Sequence, residues 1–143
     1  MSLQPCNSCY ESPFLTEEYG NVMGALDIYL ADPEDMPKNP KHPEKVTLGT
    51  LYPYHRRVHL RNDLKGRYIL GELGDCLVHI PAEDFVPAHE FEHALDLREE
   101  DEGVISGRVV ERYVNYTKKK LDPFLRDVSA RFQRYVNSLI NKN

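Results

Sequence analysis

At 143 residues the chain is long enough for one domain around a single buried core. Hydrophobic residues make up 41% and charged residues 29%, which argues against a disordered or fibrous chain. A net charge of −5 supplies no basic face for non-specific nucleic-acid binding, and no apolar run approaches the roughly 18 residues of a membrane span, so neither partner is expected.

In chain order, residues 1–20 read as an irregular polar arm broken by Pro5 and Pro13. Val22 to Leu30 alternates as a strand, with Leu26, Ile28 and Leu30 on one side. Four prolines between Ala31 and Pro43 forbid a regular element and predict an extended loop, a feature that often forms a substrate-binding lip. Short strands follow at 45–51 and 56–61, then a turn at 62–66. A hairpin comes next, with strands at 67–70 and 75–80 joined through Gly71–Gly74 and ended by Pro81. Beyond an acidic run at Glu99–Glu102, read as a solvated helix end, two helices are expected. One runs near 107–120 behind Ser106, and one starts at Asp122-Pro123, a standard cap with proline at the first helical position. The last carries Leu125, Val128, Phe132, Val136 and Leu139 as a sustained amphipathic face. The order predicts an α+β fold: a small antiparallel or mixed sheet in the first half, a helix at 88–98, then two C-terminal helices. Residues 21–143 form one domain behind the arm.

The residues that point most directly to chemistry are His89-Glu90-Phe91-Glu92-His93. On a helix His89 and His93 share a face about 6 Å apart at Cβ. Both imidazoles can then reach one zinc ion, with Glu90 beside them as a general base that is not a ligand. The same stretch also alternates with period two. As a strand it would hold the two histidines about 13 Å apart, too far for one metal. Helix propensity favours the first reading, because Ala, Leu and Glu dominate and no β-branched residue occurs from 88 to 103. Asp84 would cap such a helix and Pro87 would fall in its first turn.

The segment 86–97 resembles the active-site helix of the zincin metallopeptidases, and its Ala-His-Glu-Phe and His-Ala-Leu parts look like the matrixin branch. It departs from metzincins in Asp96, in Glu99, and in having no methionine after Met36, which leaves a gluzincin-like plan. Glu92 is charged where zincins normally carry an uncharged residue. The resemblance implies a zinc-dependent peptidase with a carboxylate as third ligand. Glu111, eighteen residues after His93, is the first candidate for it and Glu99 the second. It also implies an aspartate four residues after Glu111 to orient a ligand histidine, where this chain has Asn115, a partial replacement for a carboxylate; an oxyanion donor among Tyr113, Tyr116 and His79; and an edge strand, 75–80, that binds extended peptide.

Of three cysteines, Cys6 and Cys9 are spaced as a zinc knuckle or redox pair would be, but with Cys76 alone they read as ordinary thiols. Residues 52–57 gather Tyr and Arg side chains that could contact an anion. With no basic-then-apolar leader at the start, a cytoplasmic location is expected; a viral origin would read identically. Two functions fit: a zinc peptidase acting on a peptide or protein, or a non-enzymatic assembly protein using its arm and last helix for contacts. Oligomeric state is left open.

Overall fold

The structure, a computed structural model, describes residues 3–5 and 12–141, so Cys6 and Cys9 lie outside the described residues. It is α+β, as expected. Strand β1 is Gln4–Pro5, helix α1 Pro13–Gly24, β2 Asp27–Ala31, β3 Gly49–Tyr52 and β4 Arg57–Arg61. Strands β5 (Tyr68–Leu73) and β6 (Cys76–Pro81) follow, then helix α2 (Ala82–Leu95) and helix α3 (Glu102–Ile140). The described residues up to Arg112 group as one compact unit and those from Tyr113 onward as a second, and α3 contributes to both.

Strands β1, β2, β4 and β3 form a mixed sheet in that order. β2 and β4 run parallel, with Ile28 beside Val58 and Leu30 beside Leu60. β3 runs antiparallel to β4 at the edge, with Leu51 opposite Val58. The parallel pair requires a crossover, and the proline-rich segment supplies part of it. β5 and β6 are the expected hairpin, turned at Gly74, whose φ of +60° favours glycine.

Helix α2 settles the period-two alternative in favour of the helix. It buries Ala82, Val86, Pro87, Ala88 and Phe91, which leaves His89 and His93 on a different, accessible strip. It starts two residues before Asp84 and has no side-chain cap, so Pro87 lies inside the helix rather than in its first turn. Gly49 explains how closely β3 approaches α2. A Cβ there would meet Val86 Cγ1 at 2.9 Å and Glu90 Cγ at 3.2 Å.

Three expectations are corrected. The arm is not irregular throughout: Ser12 accepts a hydrogen bond from Leu15 N at 3.1 Å and caps α1, which buries Phe14, Leu15 and Tyr19. The helix therefore takes residues 22–24, and the strand begins only at Asp27. The two C-terminal helices are one 39-residue helix. It begins five residues earlier than expected because Asp101, not Ser106, caps it, accepting from Gly103 N at 2.8 Å. Pro123, which has no N–H to donate, lies inside it.

Phe91 is fully buried, its ring centroid 5.7 Å from that of Tyr19. Phe91→Ala is expected to destabilise the first unit by about 3–5 kcal/mol, read as a lowered urea midpoint with an unchanged slope.

Candidate metal centre

One helical turn of α2 separates His89 from His93, and their Nε2 atoms come within 3.2 Å of each other. The first residue of α3 completes the cluster: Glu102 Oε2 lies 2.5 Å from His89 Nε2 and 3.1 Å from His93 Nε2. His89, His93 and Glu102 are thus a group of three potential metal ligands with their donor atoms drawn together. Ser106, one turn after Glu102 on the same side of α3, places its Oγ 3.2 Å from His89 Nδ1. With a metal in place of the hydrogen bond to Glu102, His89 would donate its Nδ1 proton there and keep its Nε2 lone pair for the ion, the usual way a ligand imidazole is oriented. Phe85, a turn earlier on α2, packs against the same ring at 6.0 Å between centroids.

The structure therefore brings Glu102, not Glu111 or Glu99, to the two histidines. Glu111 stands nine residues further along α3, about two and a half turns, so it points to the opposite side and is exposed. Glu99 instead accepts a hydrogen bond from Asp101 N at 3.1 Å, in the turn that leads into α3. Asn115, Tyr113 and Tyr116 belong to the second unit. His79 is exposed on β6 and does not line the cleft. Glu102 was hidden in the acidic run Glu99–Glu102. The signal available was Asp101-Glu102-Gly103, an acidic cap and first turn where a helix begins.

A cleft of about 440 Å³ opens beside the cluster, lined by Glu90, His93 and Glu102, by β3 from Gly49 to Leu51, and by Pro37 to Asn39 of the proline-rich loop. A second hollow of about 340 Å³, walled by Lys45 to Gly49, Phe85 and Val86, reaches His89, Glu90 and Glu102. Glu90 therefore faces both. It is 6% exposed, and burial together with the charge of Glu102 pushes its carboxyl up to about 8. Burial lowers the His89 pKa, against the pull of Glu102. For Glu102 burial acts to raise the pKa, but the hydrogen bonds from His93 and His89 outweigh it and hold the carboxyl below its ordinary value.

Glu92, the residue that departs from the zincin pattern, points the other way, into the protein. At 2% exposure it accepts hydrogen bonds at Oε1 from Tyr19 Oη and Arg112 Nε, each at 2.8 Å. The guanidinium also lies over the Tyr19 ring at 5.1 Å. Burial first, and then the bond to Glu92, raise the Tyr19 pKa. A second ion pair, Arg108 to Asp96 at 3.0 Å, joins α3 to the end of α2.

No protein-family model, curated protein or solved structure matches this chain.

Two outcomes are expected in metal-free protein. Glu90 binds its proton more tightly folded (about 8) than unfolded (4.5), so stability falls as pH rises through that window. Glu90→Gln should remove this fall, on the order of a few kcal/mol, measured by urea unfolding at each end of the window. Arg112→Ala should cost about 2–3 kcal/mol, less than breaking a fully buried pair because Arg112 is partly in water.

Proposed function

We propose that this protein is a zinc-dependent hydrolase acting on peptides, with His89, His93 and Glu102 as the metal ligands and Glu90 as general base. The observation that carries this reading is the convergence of two imidazoles and a carboxylate from two helices beside a buried fourth carboxyl on an open cleft. Tetrahedral zinc with bonds of about 2.0–2.1 Å needs ligand atoms roughly 3.3 Å apart. The 3.2 Å between the two Nε2 atoms and the 3.1 Å from His93 Nε2 to Glu102 Oε2 are near that spacing, whereas the 2.5 Å from His89 Nε2 to Glu102 Oε2 is a hydrogen-bond distance that a shared zinc would have to open; two histidines with one carboxylate are a donor set suited to catalytic zinc. Zinc held there would polarise a carbonyl and make hydroxide available near neutral pH.

The chain's own residues account for the remaining roles. Ser106 and Phe85 fix the His89 ring. Glu90, next to the first ligand and facing the cleft, takes a proton from the attacking water and delivers it to the leaving nitrogen. A bound dication would oppose the effect of burial on Glu90 and favour the ionised form that a base needs. Substrate approaches along β3 rather than along β6. Among the described strands β3 is paired on one side only, and its residues Gly49 to Leu51 line the cleft, so an extended peptide can add to its open edge. Lys38 and Asn39 of the proline-rich loop wall the same cleft, in the position of a lip.

The test is metal content followed by variants. Purified protein should hold one zinc per chain, and His89→Ala, His93→Ala and Glu102→Gln should each lose it, whereas Glu111→Gln should keep it. Glu90→Gln should keep zinc while hydrolysis of an unfolded protein substrate drops by about 100-fold or more. Failure to bind zinc at micromolar concentration would sink the proposal, as would full zinc retention after His89→Ala and His93→Ala together.

A further inference from the structure

Residues 113–143, the second unit, are helical through Ile140 and carry seven Lys and Arg against two Asp, in a chain whose net charge is −5. Along this helix Leu121, Leu125, Val128, Phe132, Tyr135 and Leu139 are separated by four, three, four, three and four residues. That alternation repeats every 3.5 residues on average, the spacing that keeps a seam facing a partner helix as two helices supercoil. All six side chains are exposed, from 43% at Val128 to 65% at Phe132. An isolated helix of this size draws little stability from propensity and depends on burying its apolar face.

We infer that this helix forms a coiled-coil seam with a second copy of the same chain. The spacing selects the occupant, and the charge at the flanking positions is compatible with it. In the heptad that puts Leu125, Phe132 and Leu139 at one core position and Leu121, Val128 and Tyr135 at the other, the flanking positions hold Asp122, Phe124, Ser129, Arg131, Val136 and Ser138. Only one of these is a cation, so two copies can close without a row of like charges along the seam. Lys119, Lys120, Arg126 and Arg134 take outer positions, where they stay in water and keep the assembly dissolved. These cations border the apolar band on both sides and would suit an anionic surface too, so it is the 3.5-residue spacing, which matches a second helix and which a flat surface does not require, that selects a partner helix. Phe124 and Val136 widen the apolar surface beyond the six core residues, and Ile140 continues it. The inference is independent of the zinc reading, since none of these residues is one of the proposed ligands.

Light scattering of the full chain at micromolar concentration tests it. The expected mass is at least twice that of one chain. Leu125→Glu and Phe132→Glu should each return it to a single chain, while Asn137→Glu, at an outer position, and the apolar swap Phe132→Leu should leave the assembly intact. The urea midpoint of the first unit should stay unchanged in all four, which separates loss of the seam from loss of that unit's fold. A single-chain mass for the unaltered protein overturns the inference. So does an assembly that survives both glutamate substitutions, or a monomer that sediments with phosphatidylglycerol vesicles.

Discussion

The buried carboxylate of Glu92 is the interaction on which the first unit depends. It sits in α2 between the two histidines of the motif in sequence, yet faces the other way, and it receives Tyr19 from α1 and Arg112 from α3 on one oxygen. A charge at 2% exposure is tolerable only with such partners, because removal from water costs several kcal/mol that matched donors must offset. Satisfying it ties three helices together at one point. Arg108 and Asp96 add a second tie between the same two helices. With α3 fixed against α2 in this way, the first turn of α3 presents Glu102 to His89 and His93.

The site is thus a product of two opposed faces of one helix. The inward face of α2 carries Phe91 and Glu92 and sets orientation. The outward strip carries His89 and His93, with Glu90 at the border between protein and cleft. That border position explains the raised pKa of Glu90: it is desolvated by β3, which Gly49 allows to pack closely, and it shares the cleft with the negative charge of Glu102. The donor geometry and this perturbed carboxyl belong to one small region, and perturbed titratable groups in a cleft are a common mark of functional sites.

The second unit follows different physics. Among its described residues none is a buried polar anchor of the Glu92 kind, and its information lies in the spacing of its apolar residues. An apolar stripe of this regularity, flanked by few charges, specifies a partner of matching periodicity, whereas the first unit specifies a cavity.

Much of this was legible along the chain. Turn residues and alternation located the hairpin and the strand 57–61, and the α+β order follows from them. His89, Glu90 and His93 stand out because a spacing of four is meaningful on any helix, whatever surrounds it. Local sequence could not choose the third acidic group. Glu102 and Glu111 lie on the same helix, and only the start of α3 at Asp101 and its rotation relative to α2 decide which one faces the imidazoles. Nor could it show that Glu92 is a structural charge, because its partners lie 73 and 20 residues away. Residues 13–20 read as irregular and 22–24 as the start of a strand because the helix there rests on its buried residues, Phe14, Leu15 and Tyr19, and on their packing toward α2. Motif spacing and periodicity are properties of the sequence itself; which side chains converge depends on distances between elements, and those exist only once the chain has packed.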